Sequence, residues 1–296
     1  MTADHQDQLE NLDGDTTTAN SSVVLSGDRQ AIVELDPDHP GFRDPAYRQR
    51  RNAIAQIAVD FVPGTRVPEA PYSEEEHRVW QTAWERLSEA HARHACREYL
   101  DCVAAVDLPR DRIPQLWEVS ERINELAGFR LEPVGGLVQA KVFLSALGDG
   151  VFLATQYIRH HSTPLYTPEP DVIHELAGHA TMLANPTFAE LARLVGQAAK
   201  RTDSDEAIER RGRIYWYTIE FGVLQENGAP KAYGAGLLSS AGELEAMHRA
   251  ELRPFDPEQM QAQDYDVTQF QPVLFCADSF AQIRDELSAY IERWAG

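Results

Sequence analysis

Cysteine, positive charge and long apolar runs are all scarce in this 296-residue sequence. Three cysteines are too few, and odd in number, for a disulfide framework, so ordinary buried thiols in a reduced compartment are expected. The 27 Lys and Arg residues face 47 Asp and Glu residues, a formal net charge of −20, which argues against nucleic acid and anionic membrane surfaces as partners. Because no apolar run approaches a membrane span, we predict a cytoplasmic protein without membrane contact.

The N-terminus also lacks an apolar segment. From Met1 to about Ser26 the chain is polar and acidic, with no hydrophobic core of a secretion signal. A segment of that composition buries too little apolar surface to fold. We therefore predict a disordered acidic tail over residues 1–30 and a single domain over residues 31–296. With 43% hydrophobic residues in the chain, that domain has enough apolar side chains for a sizeable core.

Helical signals dominate this domain, whereas strand-like runs are short. Ser73 followed by Glu76 forms a capping box before an apolar stripe of helical spacing. Further helix boundaries are indicated by Pro114, Gly128 and Asn185-Pro186, and residues 280–291 form a last amphipathic pattern. These patterns predict a mainly α fold: a single helical domain with a few short strands and long ordered loops around a central site.

One stretch carries the chemistry. Residues 171–179 read Asp-Val-Ile-His-Glu-Leu-Ala-Gly-His, so His174 and His179 stand five positions apart, and Glu220 follows within the aromatic-rich residues 215–222. Two imidazoles and one carboxylate hold non-haem Fe(II) on one face and leave the other face open for oxygen and a reductant. This set of residues points to an oxygenase with an iron site.

The histidine spacing differs by one residue from the zinc-protease motif H-E-x-x-H. On a regular α-helix five residues rotate by about 500°, which leaves His179 about 140° away from His174. Both side chains reach one metal only if the helix starts, ends or distorts between them. Gly178 permits a distortion, and Pro168 and Pro170 permit a helix start at His174. Taken alone, the pair is equally consistent with two ordinary helical histidines without a metal.

The surrounding sequence resembles a known family. The resemblance is carried by Thr-Gln-Tyr-Ile-Arg-His (155–160), Tyr-Thr-Pro-Glu-Pro-Asp (166–171), His-Glu-Leu-Ala-Gly-His (174–179) and Lys-Ala-Tyr-Gly-Ala-Gly-Leu-Leu-Ser-Ser (231–240). These runs resemble the pterin-dependent aromatic amino acid hydroxylases, and the pattern is most like that of phenylalanine hydroxylase. Because the resemblance begins near Asp38 and continues to about Trp294, residues 31–296 are expected to form the catalytic domain of such an enzyme.

The resemblance implies cofactors and the residues that hold them. His174, His179 and Glu220 match the three iron ligands, and these ligand types suit Fe(II) since the motif contains no thiolate. The implied cofactors are Fe(II) and a tetrahydropterin, either tetrahydrobiopterin or a bacterial equivalent. Contacts to the pterin are implied for Gly135, Gly136, Leu137, Phe143 and Glu175. Without the resemblance, Phe143 would be assigned to the core.

Substrate contacts follow from the same resemblance. Arg159, Thr167 and Ser239 match residues that hold the amino acid, and a guanidinium suits an α-carboxylate because it donates two parallel hydrogen bonds. The alternative role of Arg159 is a structural ion pair. The aromatic ring of the substrate is expected to lie against Pro170, Trp216 and Phe221.

Two features favour L-phenylalanine, with O₂, as the substrate and para hydroxylation to tyrosine as the default. Val267 matches a position that is apolar in phenylalanine hydroxylases and acidic in tyrosine hydroxylases, and Trp216 has the large ring typical of the former. Against para hydroxylation, Ala177, Ala180 and Thr181 replace a bulky apolar residue and Val-Pro beside the iron ligands. A phenylalanine 3-hydroxylase that forms meta-tyrosine is therefore the alternative.

Two other functional classes stay open as alternatives. A zinc hydrolase would use His174, Glu175 and His179, and an acidic binding protein without activity would keep only the scaffold. About thirty residues precede the resemblance, and the chain ends just after its last predicted helix. We therefore expect no regulatory domain, no tetramerisation arm and a monomer in solution. Enzymes that recycle the oxidised pterin are expected as functional partners.

Overall fold

Helices make up most of the described chain, as the sequence predicts. A computed structural model describes residues 35–267 and 269–295, which form twelve α-helices, two π-helical segments and six short strands. The predicted tail of residues 1–30 lies outside this description. None of the helices in these two ranges combines the length and the apolar character that a bilayer span requires.

In chain order the α-helices are α1 (Pro45–Asp60), α2 (Glu74–His94), α3 (Arg97–Val106), α4 (Leu116–Ala127), α5 (Ala140–Leu147), α6 (Thr181–Leu183), α7 (Pro186–Lys200), α8 (Asp205–Tyr215), α9 (Ala235–Leu238), α10 (Ala241–Ala246), α11 (Pro257–Met260) and α12 (Phe280–Glu292). The π-helical segments are π1 (His174–Ala180) and π2 (Trp216–Glu220). The strands are β1 (Arg130–Pro133), β2 (Val151–Ala154), β3 (Val223–Glu226), β4 (Ala229–Ala232), β5 (Glu251–Pro254) and β6 (Val273–Ala277).

The start of each helix follows its local sequence. At α2 the N–H of Glu76 donates to the Ser73 hydroxyl, and the Glu76 carboxylate accepts the N–H of Ser73, so the predicted capping box is present. The prediction for α4 was wrong by two residues. Pro114 lies before the helix, because Gln115 is the N-cap residue and the Glu118 carboxylate accepts its N–H at 2.7 Å.

Segment π1, which contains the histidine motif, is buried within the helical core. Leu176 and Ala177 are fully buried, and Tyr99 of α3 donates its hydroxyl hydrogen to the carbonyl oxygen of Ala177 at 2.7 Å. A β-carbon at Gly178 would come within 2.8 Å of the carbonyl oxygen of Ala235. Glycine at this position therefore allows α9 to pack directly against π1.

A two-stranded parallel sheet directs two loops toward that core. In this sheet β1 pairs with β2 so that Arg130 lies opposite Val151 and Pro133 lies opposite Ala154. Parallel strands end at the same edge of a sheet, so the segments that follow them, residues 134–139 and 155–160, leave the sheet side by side. These are the segments in which the sequence predicts contacts to the pterin and the substrate.

A four-stranded sheet, with the order β4-β3-β6-β5, follows π2 directly. The hairpin between β3 and β4 turns at Asn227 and Gly228, whose φ angles of 53° and 79° suit a two-residue type I′ turn. After the hairpin, Tyr233 and Gly234 both donate their N–H groups to the carbonyl oxygen of Gly222 at 3.0 Å. The chain just after π2 is therefore fixed by the sheet.

Candidate active site

The two histidines of the motif meet because the helix between them is a π-helix. Segment π1 contains both His174 and His179, and a π-helix joins residues five apart, as the N–H of Thr181 does with the carbonyl oxygen of Leu176. Side chains five apart then lie on one face, and the two Nε2 atoms are 2.9 Å apart. The distortion that the sequence requires is confirmed, in the form of a wider helical turn.

The carboxylate comes from the second π-helical segment. The N–H of Phe221 donates to the carbonyl oxygen of Trp216, five residues earlier, at 2.8 Å. Glu220, at the end of π2, places Oε1 2.9 Å from Nε2 of His179 and Oε2 3.8 Å from Nε2 of His174. One ligand atom from each of these three residues lies within 4.8 Å of the other two. The set predicted from the sequence therefore converges on one point.

A hydrogen bond, burial and neighbouring charges favour the metal-binding forms of His174 and Glu220. The Ser239 hydroxyl donates to the carbonyl oxygen of Ala235 at 2.8 Å, so it accepts Nδ1–H of His174 at 2.9 Å and leaves the Nε2 lone pair free. Burial lowers the pKa of His174 to about 4. Burial alone would raise the pKa of Glu220, but the charges of His179 and His174 outweigh it and lower that pKa to about 2. Neutral imidazole and ionised carboxylate are the forms that bind metals.

This donor set fits iron. Two imidazole nitrogens 2.9 Å apart repel each other through their lone pairs unless a proton or a cation lies between them, and the adjacent oxygen of Glu220 favours a cation. Three protein ligands leave coordination positions open, whereas a structural zinc site is closed by a fourth. The three cysteines, Cys96, Cys102 and Cys276, take no part in the cluster.

Glu175 lies next to the ligands but is held by the end of β2. Its Oε1 accepts hydrogen bonds from the N–H and the hydroxyl of Thr155, both at 3.0 Å. Complete burial raises the pKa of Glu175 to about 7. A zinc hydrolase would need this carboxylate as a free base, whereas two hydrogen bonds from Thr155 hold its Oε1. This restraint on Glu175, and not the ligand set, argues against the zinc hydrolase alternative, since catalytic zinc also binds two histidines and one glutamate.

The residues predicted to contact the pterin lie on the side of the cluster where β1 and β2 end. Phe143 meets Phe152 at 5.5 Å and Tyr215 at 5.4 Å, both edge-on. Those two rings lie 4.5 Å and 6.2 Å from the imidazole of His179. The other predicted contacts directly follow β1: Gly135, Gly136 and Leu137. Their role in pterin binding stays a prediction.

Arg159, the predicted anchor of the substrate, already has a carboxylate partner. Its Nε and Nη2 each donate to one oxygen of Asp171 at 2.8 Å, and its backbone N–H donates to the same carboxylate at 2.9 Å. The structural ion pair that the sequence left open is therefore present, and the Nη1 edge of the guanidinium lies outside it. Asp171 also accepts the N–H of His174 at 3.2 Å, so it caps the turn that leads into π1.

The predicted ring pocket has an aromatic wall. Trp216 and Phe221 have ring centroids 4.6 Å apart, and Tyr265 stacks on Trp216 at 4.1 Å with an interplanar angle of 12°. The indole N–H of Trp216 donates to Oε1 of Gln271 at 3.1 Å. Pro170, the third predicted wall residue, is half-buried in the loop before π1. The wall is thus apolar on its faces, and the indole N–H of Trp216 is satisfied.

The other predicted substrate residues have partners within the protein. Ser239 holds His174, as described above, and the Thr167 hydroxyl donates to the carbonyl oxygen of Glu169 at 3.0 Å. Their contact with a substrate stays a prediction. Five residues that support the predicted ones were not themselves predicted from the sequence: Thr155, Asp171, Tyr215, Tyr265 and Gln271. For Asp171 a signal was present, since an aspartate three residues before His174 is typical of a helix cap.

Comparisons with known proteins agree with this geometry. Residues 22–295 match the family described as biopterin-dependent aromatic amino acid hydroxylase. Tyrosine 3-monooxygenase of Mus musculus is 46% identical over 266 residues, which are 88% of this chain and 53% of that protein. Phenylalanine-4-hydroxylase of Caenorhabditis elegans is 42% identical over 264 residues, 87% of this chain and 58% of that protein. The chain thus spans a little over half the length of these relatives.

Solved structures show the same fold. Phenylalanine hydroxylase of Chromobacterium violaceum, with bound iron(III) and 7,8-dihydrobiopterin, has a TM-score of 0.73 and 29% identity, over 83% of this chain and 90% of that one. Phenylalanine hydroxylase of Legionella pneumophila has a TM-score of 0.71 and 32% identity, over 78% of this chain and 95% of that one. The predicted mainly helical fold class is confirmed.

Proposed function

Because this chain belongs to the family of biopterin-dependent aromatic amino acid hydroxylases, we propose that it hydroxylates the ring of L-phenylalanine with O₂, Fe(II) and a tetrahydropterin. The observation that carries the proposal is the convergence of His174, His179 and Glu220 on one point. The aromatic wall of Trp216 and Phe221 comes from residues on both sides of Glu220 in the chain, and the buried carboxylate of Glu175 follows His174 directly. Para hydroxylation to tyrosine is the proposed outcome.

When bound, the iron and the reduced pterin supply the activation of O₂ and the electrons for hydroxylation. The chain supplies position and protonation state. Ser239 fixes the tautomer of His174, and burial keeps this imidazole neutral. Thr155 holds one oxygen of Glu175, and we assign the other oxygen to a polar edge of the pterin. With a pKa of about 7, the Glu175 carboxyl takes up and releases a proton near neutral pH.

We assign the α-carboxylate of the substrate to Arg159. Asp171 occupies Nε and Nη2, so the Nη1 edge is the part of the guanidinium that a substrate would meet. The pair is almost completely buried, with side chains 5% and 1% exposed. A buried guanidinium without a partner would be strongly destabilising, so Asp171 both neutralises Arg159 and fixes the plane of its fork before the substrate binds.

The ring pocket favours phenylalanine over tyrosine to a modest degree. Trp216 and Phe221 offer ring faces, and the only polar atom of Trp216 is already bound to Gln271. Val267, 43% exposed on the loop before Gln271, has no group that would bind a phenol. An apolar pocket rejects a ligand with one added hydroxyl only weakly, by about 10²-fold. Measurable turnover of tyrosine is therefore expected beside that of phenylalanine.

A meta-hydroxylating enzyme is the second candidate, and the small residues of π1 favour it. Ala177, three residues after His174, is fully buried and carries only a methyl group. The Thr181 hydroxyl donates to the carbonyl oxygen of Leu176 at 2.8 Å, so this side chain stabilises π1 itself. Ala177 is thus the position at which the side chain beside the histidine ligands is small. A substrate ring with more freedom to move would present its meta carbon to the iron site.

Product analysis tests the proposal. The purified protein would be loaded with Fe(II) and given tetrahydrobiopterin, O₂ and either phenylalanine or tyrosine, and products would be separated by chromatography. Para-tyrosine as the main product supports the first proposal, and meta-tyrosine supports the second. A higher kcat/KM for tyrosine, with dihydroxyphenylalanine as product, would contradict the substrate assignment. Absence of any pterin-dependent product, while iron is bound, would contradict hydroxylase activity.

A further inference from the structure

A second group of two histidines and one carboxylate lies next to Arg159 in sequence. Asp44, His160 and His161 each offer one ligand atom, and these atoms lie within 4.8 Å of one another. We call them the outer cluster, and we call His174, His179 and Glu220 the inner cluster. In the outer cluster, Nε2 of His160 is 3.4 Å from Oδ2 of Asp44, and the two imidazole centroids are 4.2 Å apart. The proposed reaction uses none of these three residues.

The carboxylates near this cluster have oxygen atoms to spare. Asp44 is the N-cap of α1, and its Oδ1 accepts the N–H groups of Ala46 and Tyr47 at 2.9 and 3.1 Å. Capping therefore occupies one oxygen and leaves Oδ2 for His160 or for a cation. Glu75, in the first turn of α2, places Oε2 3.8 Å from Nδ1 of His161. Glu75 thus lies beside His161 but outside the group of three residues whose ligand atoms converge.

His160 is held by Ser162 on one side and by Asp44 on the other. Its Nδ1 accepts the backbone N–H of Ser162 at 3.2 Å and is 2.7 Å from the hydroxyl of the same residue, so Nε2–H donates to Asp44 in the metal-free protein. A metal ion at Nε2 would move this proton to Nδ1, where the Ser162 hydroxyl accepts it. The ring is buried and packs edge-on against Tyr47 at 4.9 Å. His161, whose side chain is 45% exposed, has room to turn toward an incoming ion.

We propose that the outer cluster is a second metal site that binds a divalent transition-metal ion of the zinc type. Imidazole nitrogen together with carboxylate oxygen suits Zn²⁺, whereas Mg²⁺ and Ca²⁺ prefer oxygen ligands alone. A bound ion joins the start of α1 to the loop after β2. Because Arg159 directly precedes His160, the ion also clamps the segment that carries the proposed substrate anchor.

Zinc titration of the iron-loaded protein tests this site. Zn²⁺ is added, unbound metal is removed by gel filtration, and iron and zinc are counted per chain by mass spectrometry. The expected result is one zinc in addition to the iron. His161→Ala should weaken zinc binding roughly 10–100-fold at unchanged iron content, as loss of a metal-site group does. His248→Ala removes another exposed histidine and is the matched control, with zinc binding as in the wild type.

A second variant separates metal binding from folding. Asp44→Asn keeps a side chain that caps a helix but removes the charged ligand, so α1 should persist while zinc binding weakens. Zinc should raise the Tm of the iron-loaded wild type, and this rise should be lost in both Asp44→Asn and His161→Ala. Equal zinc binding by wild type and His161→Ala would overturn the proposal. Zinc uptake that occurs only with an equal loss of iron would also overturn it, since it would place the zinc in the inner cluster.

Discussion

The inner and outer clusters have the same ligand types but opposite settings. In the inner cluster, two π-helical segments supply His174, His179 and Glu220, and the side chain of His179 is 1% exposed. In the outer cluster, His160 and His161 are neighbours in a loop, and Asp44 is a helix cap whose side chain is 34% exposed. Two histidines and one carboxylate can therefore be brought together either by π-helical segments inside a core or by neighbouring loop residues at its edge.

The protonation states of the inner cluster are set by burial at His174 and by neighbouring charges at Glu220. Burial lowers the pKa of His174 to about 4, and the neighbouring histidines lower that of Glu220 to about 2 against the effect of burial. Three protein ligands leave coordination positions open, as oxygen chemistry needs. At the outer cluster water competes for the ligand atoms of Asp44 and His161, so the affinity for a metal is expected to be lower and exchange with solution faster.

One buried ion pair lies between the clusters. Arg159 directly precedes His160 of the outer cluster, and its partner Asp171 accepts the N–H of His174 of the inner cluster. The two clusters are thus attached to opposite ends of the pair that we assign to substrate binding. Variants in the inner cluster, the outer cluster and the Arg159–Asp171 pair test whether a change in one affects metal binding or turnover at the others.

The largest effect is expected from removing a ligand of the inner cluster. Glu220→Ala leaves two imidazoles without the carboxylate that completes the facial set, so most iron and nearly all turnover should be lost. A loss of roughly 10³-fold in kcat is expected, because a metal supplies several kcal/mol and each 1.4 kcal/mol is a factor of ten. Iron content and phenylalanine turnover are the measurements.

The matched variant in the outer cluster is Asp44→Asn. It removes a carboxylate ligand of the same kind, yet iron content and kcat should stay within about twofold of wild type, as for surface substitutions away from a site. If Glu220→Ala held iron and hydroxylated phenylalanine normally, the ligand assignment would be wrong. If Asp44→Asn lost iron, the two clusters would not be independent.

A smaller effect is expected from the ion pair between the clusters. Arg159→Lys keeps the positive charge but lacks the planar fork, so it cannot hold both oxygens of Asp171 and a substrate carboxylate together. The transition-state stabilisation calculated from kcat/KM for phenylalanine should fall by about 2–4 kcal/mol, the range for truncating a buried charged pair. Steady-state kinetics at unchanged iron content is the measurement. Unchanged kinetics would remove Arg159 from the site.

Much of the fold could be predicted because its signals are local. The capping box of α2, the left-handed Gly128 that ends α4 and the Asn185 cap of α7 depend on a few neighbouring residues. The inner cluster could be predicted as well, but only because the surrounding sequence resembles a known family, since the histidine pair alone is equally consistent with two ordinary helical histidines. The π-helical form of its backbone was not predicted in itself. It depends on the packing of Gly178 against Ala235, residues that are distant in sequence.

The supporting partners could not be predicted for the same reason. Arg159 and Asp171 are twelve residues apart in a loop without regular spacing, so no periodicity indicates that they meet. The outer cluster is harder still, since Asp44 and His160 are 116 residues apart. Side chains that bond to neighbouring residues in the chain leave a local pattern in the sequence. Pairs that form between distant segments can be identified only when the fold is known.

A still smaller effect concerns pH, and it arises behind the inner cluster. His91 is buried, its Nε2 lies 2.6 Å from the carbonyl oxygen of Leu238, and burial lowers its pKa from 6.5 to about 4. The unfolded chain therefore takes up a proton first as the pH falls. Stability that is fully present above pH 6.5 is lost between about 6.5 and 4. At pH 5 this loss amounts to about 2 kcal/mol.

His91→Gln isolates this contribution, because an amide can still donate to the Leu238 carbonyl but does not titrate. The difference in unfolding free energy between wild type and His91→Gln should shrink by about 2 kcal/mol from pH 7.5 to pH 5, as measured by denaturant unfolding. Tyr217→Phe is the matched control. It removes a hydrogen bond to the carbonyl oxygen of Asp264 and should cost the same stability at both pH values. A pH-independent difference for His91→Gln would show that burial does not hold this imidazole neutral.

The smallest effect concerns how finely the inner cluster positions a ring. Ala177 is fully buried in π1 between the two histidine ligands, so Ala177→Leu adds three carbons to the wall nearest the iron. If the small residue allows meta attack, the added bulk should raise the para-to-meta product ratio. A difference of only about 1.4 kcal/mol between the two barriers changes that ratio tenfold. A small displacement of the substrate ring is therefore expected to produce a measurable change in the product ratio.

Overpacking complicates this variant, because added methylene groups in a packed core cost about 1–3 kcal/mol of stability wherever they are placed. Ala83→Leu on α2 is therefore the control, since Ala83 is 1% exposed but lies on a helix that supplies no ligand of the inner cluster. Both variants should lower Tm, and only Ala177→Leu should change the product ratio. Equal ratios in all three proteins would show that bulk at position 177 does not steer the ring. The regiochemistry would then depend on the aromatic wall of Trp216 and Phe221, to which π1 contributes no residue.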